Sequence, residues 1–132
     1  MAHRPTLTLL AALVLAGGLL AGCAAKPGEH PVELALAPLH TMPMSIQQAP
    51  VAYYEAYQFA VANPDALADV PCTCGCDQFG HKSNYNCYVV DTRADGTVIL
   101  DFHALGCQIC VDITQEVMRE MRQGHGRTAG PL

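Results

Sequence analysis

Six cysteines and two histidines between residues 72 and 110 have the types and spacing that bind a soft metal. The candidate ligands are Cys72, Cys74, Cys76, His81, Cys87, His103, Cys107 and Cys110. In an extended segment side chains repeat direction every two residues, so the three alternating cysteines should face one side. Eight candidates exceed the needs of one tetrahedral site. The spacing therefore predicts a polynuclear Cu(I)–thiolate cluster or, as a second choice, Zn(II) sites.

Disulfides are the main alternative use of these cysteines. Exported domains commonly pair their cysteines, and six can be paired in several ways. We expect a bridge within Cys-x-Cys to be strained, so each alternating cysteine would need a distant partner. Full pairing is feasible, but it leaves His81 and His103 without a role. A mixed state, with one bridge and one metal site, also stays open.

The pair Cys107 and Cys110 supports a third hypothesis, thiol–disulfide redox chemistry. It opens a predicted helix, as a redox-active Cys-x-x-Cys pair does, and the backbone N–H groups there favour a thiolate. We therefore expect both thiols to have a low pKa. The alternation of strands and helices typical of thioredoxin-like folds is missing, which makes this hypothesis weaker than metal binding.

Two helices and a β-hairpin are the elements predicted to position the ligands. Pro50 opens a helix over residues 51–62, and Asn63-Pro64 ends it. Strands are predicted at 87–92 and 97–102, with a turn at 94–96. A second helix covers 107–123 and ends before Gly124. The prediction is one small α+β domain in which both helices pack on the hairpin beside a cysteine-rich loop.

The N-terminal segment is typical of an exported lipoprotein. Residues 7–20 are mainly apolar, and these 14 residues are shorter than the ~20 that span a membrane. The order Leu20-Ala21-Gly22-Cys23 follows, and small residues before a cysteine are typical of a bacterial lipobox. We predict a signal peptide over residues 1–22 and acylation of Cys23, including palmitate. Several acyl chains would anchor the protein stably to the cell envelope.

The remaining segments predict the limits of the domain, and the composition argues against several other functions. Four prolines in residues 23–48 predict a flexible tether, followed by a cysteine-rich domain over 49–124 and a tail over 125–132. A net charge of −5 argues against a nucleic-acid partner. No hydrolase triad pattern or Gly-rich phosphate loop indicates an enzyme. The expected partners are a metal ion, the membrane and a metal-exchange protein.

Several motifs together resemble a known bacterial family. They are Tyr57-Gln58-Phe59-Ala60, Asn63-Pro64, Val70-Pro71-Cys72-Thr73-Cys74-Gly75-Cys76, Gly80-His81-Lys82-Ser83-Asn84, Cys87 and Cys107 to Ile113. They resemble the lipoproteins named for a PCYCGC motif, over residues 53–117. The resemblance implies an exported lipoprotein without an established activity, for which a heavy-metal role is suspected. Thr73 replaces the tyrosine of the motif, and it should point away from the flanking sulfurs.

These observations predict a lipid-anchored protein that sequesters or delivers Cu(I). The alternatives are a disulfide-stapled envelope module that binds a protein partner, and a thiol–disulfide redox protein.

Overall fold

Four α-helices and a two-stranded antiparallel hairpin form the part of the chain that this computed structural model describes, residues 32–125. The elements are α1 Met44–Gln47, α2 Val51–Ala62, α3 Pro64–Ala68, β1 Val89–Thr92, β2 Val98–Leu100 and α4 Gln108–Arg122. Short 3-10 turns lie at Leu39–Thr41, Cys76–Phe79, Asn84–Cys87 and His103–Gly106. The predicted α+β class, with two main helices, a hairpin and a cysteine-rich loop, is confirmed.

Helix α2 has the predicted bounds because prolines set both ends. The Pro50 carbonyl accepts hydrogen bonds from the N–H groups of Tyr53 and Tyr54, which starts the helix. Asn63 precedes Pro64 and leaves the helical conformation, so the chain turns there into α3. The inward face of α2 includes Tyr57, which has no exposed surface. This face forms one wall of the core.

Helix α4 forms the opposite wall, with Cys107 just before its first residue and Cys110 in its first turn. It begins one residue later than predicted, because Cys107 is extended and serves as the N-cap. Cys110, Thr114 and Met118 recur at four-residue spacing and are fully buried. The buried stripe along this helix therefore runs from Cys110 to Met118. The first turn of α4 places Cys110 at the edge of the core.

The hairpin joins the cysteine-rich loop to α4. Val89 pairs with Leu100 and Thr92 with Val98, with an irregularity near Asp91. Both strands are shorter than predicted. The chain around Cys87 forms a 3-10 turn before β1, and another such turn begins at His103 after β2. The hairpin therefore separates two ligand-bearing turns and returns the chain to the same side of the domain.

The predicted tether is wrong for residues 32–48. Ile46 is fully buried and Met42 is 6% exposed, so both belong to the core. The N–H group of Val32 bonds to the Arg122 carbonyl at 3.1 Å, which ties this segment to the end of α4. Prolines prevent long regular structure here, but they do not prevent the apolar side chains from packing. The folded domain therefore begins before residue 49.

Other predictions fall largely outside the described residues. The signal peptide, Cys23 and the start of the tether lie in residues 1–31, and all but the first residue of the tail lies in 126–132. Among residues 32–125 no helix is long and apolar enough to span a membrane.

Candidate metal centre

The alternating cysteines lie in a turn and not in an extended segment. Gly75 has a left-handed φ of 80°, and the Cα atoms of Cys74 and Cys76 are 5.5 Å apart. An extended pair would be about 6.6 Å apart. Because glycine adopts this conformation without a steric penalty, the turn brings the two side chains together, and Cys74 and Cys76 form a disulfide.

This disulfide corrects the expectation that a Cys-x-Cys segment would remain unbridged. The expectation assumed an extended backbone, which Gly75 interrupts. Within residues 32–125 the other cysteines are free: they are Cys72, Cys87, Cys107 and Cys110. The structure therefore contains one bridge beside four free thiols among these residues.

One group of ligand atoms consists only of sulfur. Its members are Cys72, Cys74, Cys87 and Cys110, whose Sγ atoms all lie within 4.8 Å of one another. Five of the six separations run from 2.8 Å for Cys72–Cys74 to 3.8 Å for Cys72–Cys110. A tetrahedron with metal–sulfur bonds of ~2.3 Å has edges of about 3.8 Å. The sulfurs would therefore have to spread by no more than about 1 Å to surround an ion. We call this set the all-sulfur group.

A second group adds nitrogen. It consists of Cys74, Cys76, His103, Cys107 and Cys110, again with all ligand atoms within 4.8 Å. His103 Nε2 lies 2.7 Å from Cys76 Sγ. Imidazole and thiolate together are ligands for zinc and copper. We call this set the mixed group.

The two groups overlap at Cys74 and Cys110. A sulfur shared in this way can bridge two ions once it is a thiolate, so the arrangement fits a two-centre site. Cys110 is a free thiol, whereas Cys74 has to be released from its disulfide before it can bind. Reduction of one bond thus decides whether the two groups are complete.

His81 is the predicted ligand that joins neither group. Its ring is 8% exposed and meets the ring of His103 edge-on, with centroids 4.9 Å apart. Its Nε2 lies 3.3 Å from Asp101 Oδ2, and its Nδ1 is buried without a hydrogen-bond partner among the described residues. The structure therefore places His81 behind His103, outside both groups.

Asp101 is a residue that the sequence analysis missed. Besides facing His81, its Oδ1 accepts a hydrogen bond of 2.7 Å from the backbone N–H of His103. This carboxylate therefore fixes the start of the turn that carries the imidazole. Its position two residues before His103, at the end of a strand, was the available signal.

A buried polar network supports Cys110 from the core side. The Cys110 carbonyl accepts hydrogen bonds from Asn84 Nδ2 at 3.1 Å and from the Tyr88 hydroxyl at 2.9 Å. The Thr114 hydroxyl donates to Asn84 Oδ1 at 2.6 Å and lies 2.7 Å from the Tyr88 oxygen. The three side chains come from the turn before β1 and from α4, so sequence spacing alone does not reveal them. They fix the backbone of the shared ligand.

The predicted low pKa of Cys107 and Cys110 is wrong for the metal-free protein. Burial raises the pKa of Cys107 and of Cys72. The hydrogen bond with Cys87, followed by burial, raises the pKa of Cys110. Crowded sulfurs in a low-dielectric site resist ionisation, and this effect outweighs the helix N-terminus. A bound cation would supply the charge that thiolates need, so binding should release protons.

Comparison with known proteins gives one match. Residues 29–129 match a family model described as a protein of unknown function with PCYCGC motif. This match includes every candidate ligand and confirms the family resemblance seen in the sequence. No curated protein and no solved structure matches the chain at a significant level.

Proposed function

The chain belongs to the family of proteins with a PCYCGC motif, and from the geometry of its site we propose that it binds Cu(I) in a two-centre thiolate cluster. The observation that carries this proposal is the overlap of the two groups at Cys74 and Cys110, with each set of ligand atoms within 4.8 Å. We further propose that the protein is exported and lipid-anchored through Cys23 to the bacterial cell envelope. There it would sequester copper or deliver it.

Copper fits the shared ligands better than zinc does. Cu(I) is soft, is selected by thiolates and is satisfied by few ligands, so bridging sulfurs suit it. Structural zinc sites normally have four ligands in a closed tetrahedron. Two complete zinc sites would need more separate ligands than the overlapping groups offer. Zinc remains the second candidate.

Partial exposure supports exchange of the ion with a partner. Cys72, His103 and Cys107 are each only partly buried, whereas Cys87 and Cys110 have no exposed surface. An ion could therefore pass to the thiols of another protein by ligand replacement at the exposed side. We propose a metal-exchange protein as partner, and binding without turnover, so the protein is not proposed to be an enzyme.

Metal titration of the reduced protein tests the proposal. The exported full chain is first reduced, and the reductant is then removed under anaerobic conditions. The protein is titrated with Cu(I) in the presence of a competing chelator. We expect more than one copper ion per chain and, after denaturation, six thiols in addition to any at Cys23. His40→Ala removes an exposed imidazole outside the site and should bind the same amount.

Three results of this titration would contradict copper binding. Failure of fully reduced protein to retain Cu(I) would overturn the proposal. Retention of one or two zinc ions in preference to copper would replace it with structural zinc sites. Retention of a single copper ion would contradict the two-centre arrangement.

The Cys74–Cys76 bridge favours a second candidate, a disulfide-containing envelope module without metal. It predicts that the protein from an oxidising compartment has no free thiol among the cysteines of the domain. The mixed state instead predicts that Cys72, Cys87, Cys107 and Cys110 react with an alkylating reagent before any reduction. Mass spectrometry of the alkylated, denatured chain separates the two.

A further inference from the structure

The disulfide lies directly against free thiols, so one site contains both an oxidised pair and potential Cu(I) ligands. Cys74 and Cys110 both belong to the all-sulfur group and to the mixed group. The Sγ atom of the free Cys72 lies 2.8 Å from Cys74 Sγ. We propose that Cys74 and Cys76 reduce incoming Cu(II), become the disulfide, and leave the resulting Cu(I) to the remaining ligands. This inference rests on the proposed copper binding and adds an electron-transfer activity to it.

The ligand types divide the site into a Cu(II) side and a Cu(I) side. The mixed group offers the His103 imidazole, a good ligand for Cu(II), next to Cys76. His103 and Cys107 are partly exposed, so a hydrated ion can reach them. The all-sulfur group includes Cys87 and Cys110 at 0% exposure and suits the softer Cu(I). Copper would therefore be reduced where nitrogen and sulfur meet and held where sulfur dominates.

The reduction balances without any additional reagent. The Cys74 and Cys76 thiols together lose two electrons and two protons, and one S–S bond forms between their Sγ atoms. Two Cu(II) ions each accept one electron and become Cu(I), and both protons pass to solvent. The oxidant is the copper itself, and each chain acts once unless an external dithiol reduces the bridge again.

Enough ligands remain to hold both products. With the pair oxidised, Cys72 and Cys87 remain in the all-sulfur group. His103 and Cys107 remain in the mixed group, and Cys110 belongs to both. Each Cu(I) therefore retains at least two ligands, which is the low coordination number this ion accepts.

The position of the pair explains why these two thiols should be the ones that oxidise. Cys74 and Cys76 lie in one turn around Gly75, whose φ of 80° allows their sulfurs to meet. Cys72, Cys87 and Cys110 lie on three different elements, so a bridge among them would cross-link the loop to the core. Oxidation of the Cys-x-Cys pair leaves the other elements in place.

The test follows copper, thiols and the bridge in the same sample. Fully reduced full-length protein is mixed anaerobically with two equivalents of CuSO₄. We expect the Cu(II) electron paramagnetic resonance signal to disappear and two Cu(I) per chain to be captured by bathocuproine after denaturation. Peptide mapping should find one bridge, Cys74–Cys76, with the other four domain thiols intact. His40→Ala should behave in the same way.

Variants separate the pair from general thiol chemistry. The double variant Cys74→Ser/Cys76→Ser should reduce Cu(II) at least about tenfold more slowly, a loss of ~1.4 kcal/mol in transition-state stabilisation. His103→Gln should slow reduction while leaving the bridge position and the thiol count unchanged. A bridge mapped to other cysteines in the wild-type chain would overturn the inference, and this readout does not depend on any variant folding. Reduction by the double variant at the wild-type rate would do the same.

Supplying copper as Cu(I) distinguishes the two proposals. If wild-type protein binds Cu(I) but leaves Cu(II) unreduced, copper binding stands and the electron-transfer inference fails. If reduced protein fails to bind Cu(I) as well, the proposed function itself fails.

Discussion

Replacing Thr114 by valine should destabilise the domain through one buried hydrogen bond. Thr114 has no exposed surface, and its hydroxyl lies 2.6 Å from Asn84 Oδ1 and 2.7 Å from the Tyr88 oxygen. Valine has nearly the same shape, so little cavity forms. The change mainly leaves Asn84 Oδ1 without the Thr114 donor inside the core. An unsatisfied buried polar group costs about 1–3 kcal/mol.

Urea unfolding of the reduced, metal-free chain measures this cost. We expect the free energy of unfolding to fall by about 1–3 kcal/mol, with each kcal/mol lowering Tm by roughly 4–8 °C. Thr92→Val is the matched control, because Thr92 is exposed on β1 and should change stability by less than about 0.5 kcal/mol. A double-mutant cycle with Tyr88→Phe should give a coupling above about 0.5 kcal/mol.

Two results would refute this reasoning. Equal costs for Thr114→Val and Thr92→Val would mean that the buried network does not stabilise the fold. A zero coupling between Thr114 and Tyr88 would mean that they act separately on the backbone of Cys110.

Three further predictions concern the core, the shared ligand and pH. Ile46→Ala should lower the free energy of unfolding by about 2–5 kcal/mol, because Ile46 is fully buried. The control Val51→Ala, at a 56% exposed position, should lower it by less than about 0.5 kcal/mol in the same urea assay. Equal losses for the two variants would indicate that the segment before residue 49 is a tether and not part of the core. Cys110→Ser removes the free sulfur common to both groups and should weaken the binding of both Cu(I) ions against a competing chelator; unchanged affinity for both ions would contradict a shared ligand. The pKa values of Cys72 and Cys107 are raised in the folded chain, so these thiols ionise at a lower pH in the unfolded chain. The free energy of unfolding of reduced, metal-free protein should therefore fall as the pH rises above ~8.5, the ordinary pKa of a cysteine thiol. A free energy of unfolding that increased with pH over this range would contradict this prediction.

The sequence was most informative where local signals decide the structure. Pro50 and Asn63-Pro64 define α2 at both ends, because a proline starts or stops a helix whatever surrounds it. The clustering of the ligands could also be predicted from the sequence, because alternating cysteines followed by Cys-x-x-Cys are unusual outside metal and disulfide chemistry. Of the predicted set, only His81 lies outside both groups of ligand atoms.

The features that the sequence did not reveal depend on contacts between distant segments. The burial of Ile46 depends on the rest of the core and not on the prolines around it. The left-handed conformation of Gly75 is permitted by the residue but selected by the loop, and it decides the Cys74–Cys76 pairing. Asp101 acquires its role only after the hairpin brings it against His81. Tertiary context determined each of these outcomes.

The all-sulfur group also has a topological consequence. It draws together Cys72 and Cys110, which are 38 residues apart along the chain. An ion held between them would close the hairpin and both ligand-bearing turns into a ring. A cross-link that closes a ring of this size lowers the conformational entropy of the unfolded chain, which stabilises the folded state by about 4 kcal/mol. The contacts between α1, α2 and α4 lie mostly outside the ring, so removal of the ion should loosen residues 72–110 first. Their amide hydrogen exchange would then report whether metal is bound while the helical core stays protected.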